Sequence, residues 1–124
     1  GTASFTVTVL DTTPPTVTAF TIPSTATTLS VPITSLTATD NVGVTGYLVN
    51  ESSSAPSASD SGWLASASAS YTFTSEGSKT LYAWAKDAAD NVSASLSASV
   101  TITLADTTPP TVTEFTIPST ATTL

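Results

Sequence analysis

The chain has 124 residues, a formal net charge of −7, and no Cys, His or Met. Without Cys and His, the sequence excludes disulfides, zinc centres and His-dependent nucleophilic catalysis, so we expect a protein that is not an enzyme. Two lysines and no arginine are too few to hold nucleic-acid phosphates, and no apolar run approaches the roughly 20 residues that a membrane span requires. Hydrophobic residues make up 40% of the chain, which is enough for a folded core.

Apolar and polar residues alternate with a period of two through most of the sequence, and no window has the helical period. This pattern predicts short, half-buried antiparallel strands, in chain order at residues 16–22, 34–39, 44–50, 70–74, 79–86 and 94–104. Proline, glycine and Asn-containing turn signals separate these runs. About seven short strands predict an all-β fold, an immunoglobulin-like antiparallel β-sandwich.

An internal repeat is the strongest signal in the sequence. Residues 11–29 return at residues 106–124 with one difference, Glu114 in place of Ala19, at an offset of 95 residues. Self-similarity at this period is typical of a tandem array of domains, so we interpret the chain as a piece of a longer protein. The predicted parts are the last strand of a preceding repeat, one complete repeat, and the linker and first strand of the next repeat: residues 1–10, 11–105 and 106–124. Because position 19 accepts Glu in the other copy, we expect Ala19 to face water.

Three phrases carry a family resemblance: DTTPPTV, TATDNVGVTGY and EGSKTLYAWAKDAADNVS. They resemble bacterial immunoglobulin-like, or fibronectin type III-like, tandem repeats of large adhesin-type surface proteins, and the resemblance covers nearly the whole repeat. It implies a sandwich unit that serves as a stalk, spacer or adhesive module at the bacterial cell surface. The chain departs from the D-x-x-G-N pattern of many relatives, since Asp90 stands where they have Gly. That turn must form without glycine.

Most acidic residues fall in the segments that connect strands. In a sandwich of this topology, three such segments meet at one end and bring together Asp11, Asp40, Asn41, Asp87, Asp90 and Asn91. Crowded carboxylates repel and raise one another's pKa unless a cation lies among them, and Ca²⁺ prefers oxygen ligands of this kind. We therefore predict a calcium site that also fixes the linker. The alternative is that Asp40 and Asp87 only cap turns together with the asparagines that follow.

The linker Thr12-Thr13-Pro14-Pro15 is short, and its prolines restrict the backbone. Units joined by such a linker form an extended rod. The prolines also stop an edge strand from pairing with neighbours.

Tyr82, Trp84 and Lys86 share one face of a predicted strand, opposite small apolar residues. The position of Lys86 favours an arrangement with Tyr82 and Trp84 on the outer surface, where they could stack on a sugar or on a like chain. The reverse arrangement puts the aromatic side chains in the core. We expect Trp63 to close the edge of the sandwich.

Together these features predict a structural module: a stiff spacer in a long extracellular stalk, fibre or adhesin, rigidified by Ca²⁺, with neighbouring repeats as its partners. Two alternatives stay open. One is a module that binds surface glycans through exposed aromatic residues. The other is a subunit of a filament assembled by strand exchange and lateral contacts between like chains. The acidic, Cys-free composition fits the exterior of a bacterial cell.

Overall fold

The computed structural model describes all 124 residues, and every strand lies between residues 16 and 102. The eight strands are β1 (Thr16–Thr21), β2 (Thr25–Ala26), β3 (Ser30–Pro32), β4 (Ser35–Thr39), β5 (Val44–Asn50), β6 (Ser70–Thr72), β7 (Gly77–Asp87) and β8 (Leu96–Ile102). The predicted all-β fold is confirmed, and the structure offers no helix that could cross a membrane. The sequence pattern locates six of the strands and misses the short β2 and β3.

The strands form three sheets in a sandwich-like arrangement. The largest sheet has four strands in the order β2-β8-β7-β5, in which β7 pairs antiparallel with both β5 and β8, and the two-residue β2 runs parallel to β8. The other two are antiparallel pairs, β1 with β4 and β3 with β6. Because β1 also contacts β7 and β8, the β1–β4 pair lies against the four-stranded sheet.

The hydrophobic core lies between these layers and draws on alternate residues of the strands, as the period of two predicts. Its ten buried members are Val17, Phe20, Ile22, Val31, Phe73, Leu81, Ala83, Ala85, Val100 and Ile102. The central strand β7 provides three of them, each with no exposed surface. The packing of these three residues fixes the position of β7 and therefore that of Asp87 at its C-terminal end.

The serine-rich segment 51–69 runs along the edge of β5 and over part of the outer face of β5 and β7. Leu64 exchanges backbone hydrogen bonds of 2.8 and 2.9 Å with Tyr47 of β5. The Lys86 ammonium donates to the Ala58 carbonyl at 3.1 Å and lies 5.7 Å from the centre of the Trp63 ring. This segment and the outer face of the sheet therefore form a second, smaller packed region.

The prediction that Trp84 lies on the outer surface is wrong. Trp84 is 4% exposed, and its indole N–H donates to Asn50 Oδ1 at 3.0 Å. Its cross-strand neighbour Leu48 is also buried, because the covering segment passes over this face. Tyr82 is half-buried and does not form an exposed pair with Trp84. Trp63, which we expected to close the edge of the sandwich, is half-buried next to Leu64, which pairs with the edge strand β5, and its ring centre lies 5.7 Å from the Lys86 ammonium.

The two copies of the repeated sequence differ in structure. We call residues 11–29 the leading segment and residues 106–124 the trailing segment. The leading segment contains β1 and β2, whereas the trailing segment forms no strand and all of its residues are exposed. Ala19 was expected to face water, but it is half-buried, because the pairing of β1 with β4 shifts register between Val17 and Ala19.

Candidate metal centre

Three carboxylates converge at one end of the sheets. One side-chain oxygen from each of Asp11, Asp40 and Asp87 lies within 4.8 Å of the other two. Asp40 follows β4 and Asp11 precedes β1, and these strand ends meet because Thr16 pairs with Thr39. Asp87 ends β7, beside the start of β5. Strand pairing therefore brings together residues that are far apart in the sequence.

Asp40 is oriented by the tight turn that it caps. Its Oδ2 accepts hydrogen bonds from the backbone N–H groups of Val42 and Gly43 at 3.1 and 3.0 Å. Its Oδ1 is buried and has no hydrogen-bond partner. Turn capping accounts for the hydrogen bonds of Oδ2 but leaves Oδ1 without a partner. A buried acceptor without a partner is costly, and a bound cation would satisfy it.

Asp87 is the most buried of the three, with 1% of its surface exposed. Its Oδ1 accepts the backbone N–H groups of Ala89 and Asn91, both at 2.9 Å, and its Oδ2 accepts the Asn91 side-chain amide at 2.9 Å. Desolvation opposes ionisation, but the hydrogen bonds from the Asn91 side-chain amide and from the backbone N–H groups of Asn91 and Ala89 outweigh it and hold the pKa of Asp87 below its ordinary value. The expectation that crowding raises the pKa is wrong for Asp87, because N–H donors surround its carboxylate.

Asp11 links the segment that precedes β1 to both loops. Its Oδ1 accepts the Thr13 backbone N–H at 3.0 Å and the Asn41 side-chain amide at 3.3 Å. Its backbone carbonyl accepts the Asn91 side-chain amide at 3.0 Å. The start of the leading segment is thus tied to the end of the domain before β1 begins.

The other three predicted site residues have different roles. Asn41 and Asn91 donate hydrogen bonds that hold the acidic residues in position. Asp90 is exposed, and its carboxylate is not one of the three that converge. It adopts a left-handed backbone conformation, with φ of 65°, in the turn where many of the repeats that the sequence resembles have Gly. The turn forms without glycine because Asp tolerates this conformation better than most residues.

The cluster carries concentrated negative charge. Two carboxylates 4.8 Å apart repel by about 1 kcal/mol in a water-like dielectric and by about 3 to 4 kcal/mol at an effective dielectric near 20. Both lysines direct their ammonium groups elsewhere, Lys86 to the Ala58 carbonyl and Lys79 to the Ser75 hydroxyl. A divalent cation would replace this repulsion with attraction to each carboxylate.

An apolar depression of about 300 Å³ adjoins the cluster. It is lined by Thr8, Val9, Leu10, Asp11, Val42, Ala88 and Ala89. The sequence analysis missed it, although Val42 is an apolar residue within a polar turn and is 74% exposed. The carboxylate cluster therefore has an apolar border on the side of the residues that precede the leading segment.

Comparison with protein-family models, with curated proteins and with solved structures gives no significant match. The resemblance to bacterial immunoglobulin-like repeats stays a prediction that rests on the three sequence phrases.

Proposed function

We propose that the chain contains an immunoglobulin-like repeat that acts as a stiff spacer in an extracellular bacterial stalk or fibre. In this proposal, Ca²⁺ bound by Asp11, Asp40 and Asp87 rigidifies the junction that precedes the repeat. The observation that carries the calcium site is the buried, unpartnered Oδ1 of Asp40 within a group of three carboxylates. The observation that carries the spacer role is the near-identical segment that returns after 95 residues.

The ligand set fits calcium. Ca²⁺ binds oxygens at about 2.3 to 2.6 Å, so two ligands of one ion lie at most about 5 Å apart. The three carboxylates meet this limit, since one oxygen from each lies within 4.8 Å of the other two. Each carboxylate offers one oxygen at this distance, and water and further protein oxygens would complete the six to eight that Ca²⁺ takes. Small adjustments at the exposed Asn41 would allow the ion to replace its hydrogen bond to Asp11.

Calcium at this position would stiffen the junction because Asp11 belongs to the linker. The ion would join the linker to the loops that follow β4 and β7, in addition to the hydrogen bond from Asn91 to the Asp11 carbonyl. The two prolines that follow Thr13 restrict the same segment, and Pro15 is buried. Each junction in an array would then have one preferred geometry, as a length-setting spacer requires.

Thermal unfolding of the chain in EDTA, Mg²⁺ or Ca²⁺ tests the calcium site. Asp40→Asn keeps an oxygen for the turn and removes one charge from the cluster. The matched control is Asp60→Asn, because Asp60 is not one of the three converging carboxylates and caps a turn by accepting the Gly62 N–H at 2.7 Å. At about ten to one hundred times the Kd, bound Ca²⁺ stabilises the folded state by about 1.4 to 2.7 kcal/mol, which raises Tm by several degrees.

We expect Ca²⁺ to raise the Tm of the unchanged chain and of Asp60→Asn but not that of Asp40→Asn. In EDTA, Asp40→Asn should unfold at the same or a higher temperature than the unchanged chain, because it removes repulsion. If Ca²⁺ does not shift the Tm of the unchanged chain, or shifts that of Asp40→Asn equally, the calcium site is wrong and the aspartates only cap turns.

Binding of glycans through exposed aromatic residues is not proposed, because the burial of Trp84 removes its main support.

A further inference from the structure

Both ends of the repeat, residues 11–105, present apolar side chains to solvent. At the end that carries the carboxylate cluster, Val42 is 74% exposed, and the exposed Ala88 and Ala89 of the neighbouring turn line the same depression. At the opposite end, beyond β8, Leu104 is 41% exposed. Apolar residues that lie together in otherwise polar turns indicate a surface that packs against a partner.

The apolar residues at the cluster end are held in place by two capped turns. Asp40 caps the first turn, since its Oδ2 accepts the Val42 N–H at 3.1 Å. Asp87 fixes the turn that carries Ala88 and Ala89, since its Oδ1 accepts the Ala89 N–H at 2.9 Å. The surface is therefore ordered before a partner packs on it, which lowers the entropic cost of the contact.

The remaining residues of the depression indicate which partner this is. Val9 and Leu10 line it together with the two turns. At the 95-residue offset of the repeat, Val9 and Leu10 correspond to Leu104 and Ala105, which follow β8. In a tandem array, this part of the depression therefore belongs to the C-terminal end of the preceding repeat.

Hydrogen bonds fix Leu104 at that end of the repeat. Thr103 N–H donates to the Ala26 carbonyl at 2.9 Å, and Leu104 N–H donates to Glu76 Oε2 at 2.7 Å. The end of β8 pairs with the start of β7, so Leu104 lies at the end of the sandwich opposite the carboxylate cluster. Each repeat thus presents an ordered leucine to the repeat that follows it.

We propose that Leu104 of one repeat packs on Val42, Ala88 and Ala89 of the next, so that consecutive repeats meet through an apolar contact. This inference rests on the proposed tandem array but does not require calcium. The contact is head to tail, because one end of a repeat binds the opposite end of an identical repeat. The linker Thr12-Thr13-Pro14-Pro15 is short and gives the two surfaces a high effective concentration, so a small contact suffices.

Thiol labelling tests the contact, because the chain contains no Cys. A second copy of residues 11–105 is inserted after residue 105 of the full chain, and Val42→Cys is placed in the first or in the second copy. Only the second copy follows a folded repeat. In EDTA, N-ethylmaleimide should label the second-copy thiol at least about tenfold more slowly than the first-copy thiol, because only unpacked junctions react. The matched control, Ser53→Cys in the exposed part of segment 51–69, should react equally fast in both copies.

Leu104→Ser separates packing from mere proximity of the two copies. In the first copy, we expect this change to raise the labelling rate of the second-copy Val42→Cys thiol to the first-copy rate. In the second copy, where the residues that follow form no strand, the same change should leave the rate unaltered. Equal rates for Val42→Cys in the two copies, or slow labelling that persists with Leu104→Ser in the first copy, would overturn the proposal.

These outcomes are distinguishable from failure of the calcium site. Equal labelling rates in EDTA, together with a rise in Tm in Ca²⁺, would refute the apolar contact and leave the calcium site standing. Slow labelling of the second copy without any effect of Ca²⁺ on Tm would support the contact and refute the calcium site.

Discussion

Residues 11–29 and residues 106–124 share all but one residue, and they have opposite structures. The leading segment forms β1 and β2 and contributes to the core, with Phe20 9% exposed. The trailing segment forms no strand, and Phe115 is 83% exposed. Local sequence is almost the same in both, so β-propensity alone does not decide the outcome.

The difference lies in the available partners. The leading segment pairs with β4, contacts β8 and packs against β7. Strand preference depends largely on packing against neighbouring strands and on burial, and a strand without neighbours is not stable in water. The two segments therefore serve as internal controls for each other, and the same substitution in each separates the effect of the residue from the effect of its surroundings.

The largest difference is expected for the buried phenylalanine. Phe20→Ala should destabilise the fold by about 3 kcal/mol, because it leaves a cavity among buried residues. Phe115→Ala should change the free energy of unfolding by less than about 0.5 kcal/mol, as is usual for exposed positions. Urea unfolding at micromolar concentration, followed by tryptophan fluorescence, measures both. Equal effects would mean that the trailing segment is also packed in solution.

The second comparison concerns the two linker aspartates. Asp11→Asn should abolish the rise in Tm produced by Ca²⁺, a loss of about 1.4 to 2.7 kcal/mol at ten to one hundred times the Kd, because it removes one of the three carboxylates. Asp106→Asn should leave the rise intact, since Asp106 lies outside the cluster. Thermal unfolding with Ca²⁺ and with EDTA gives both values. If the calcium effect depends on Asp106, the ion binds near the C-terminal end of residues 11–105, and the proposed site is wrong.

Acid unfolding in EDTA tests how the cluster anchors the leading segment. The pKa of Asp87 is lower in the folded state than its ordinary value of 3.8, so the folded state binds fewer protons than the unfolded state. Its stabilising contribution is complete above pH 3.8 and is lost as the pH falls through the folded-state pKa. As the pH falls below 3.8, the free energy of unfolding of Asp87→Asn should decrease less steeply than that of the unchanged chain. A stability curve with the same slope for both chains below pH 3.8 would contradict the assignment.

The smallest effect is expected at the position where the two segments differ. Ala19→Glu should destabilise the fold by about 0.5 kcal/mol, because Ala19 is half-buried and the new side chain must extend into water. Glu114→Ala should have no measurable effect on the exposed trailing segment. Urea unfolding of both chains provides the comparison. A loss of more than about 2 kcal/mol for Ala19→Glu would show that the β1–β4 pair does not tolerate Glu at this position.

Much of the fold could be predicted because long alternating runs define β5, β7 and β8. The two residues of β2 and the three of β3 are too short to carry a pattern, and β2 forms only because β8 lies beside it. The position of Trp84 could not be predicted from alternation, which separates the two faces of a strand but does not indicate what covers each face. The packing of segment 51–69 decides that question.

The candidate site, like the fold, could be predicted only in part. Asp11, Asp40 and Asp87 could be placed together from the turns and the expected topology. The unpartnered oxygen of Asp40 and the donor roles of the asparagines depend on side-chain orientation, which sequence spacing does not determine. Asp90 is exposed and has a left-handed backbone conformation, and neither property follows from its spacing in the sequence.

Small-angle X-ray scattering of two consecutive copies of residues 11–105 tests the calcium-stiffened junction most directly. Each unit should advance by roughly 35 to 45 Å, on the order of a ten-residue strand and its loops. In Ca²⁺ we expect one extended arrangement with a maximum dimension near the sum of two units. In EDTA, or with Asp11→Asn in the second unit, we expect a shorter average maximum dimension and a broader distribution of dimensions. Identical scattering with and without Ca²⁺ would contradict the calcium-stiffened junction and leave the prolines to set its geometry.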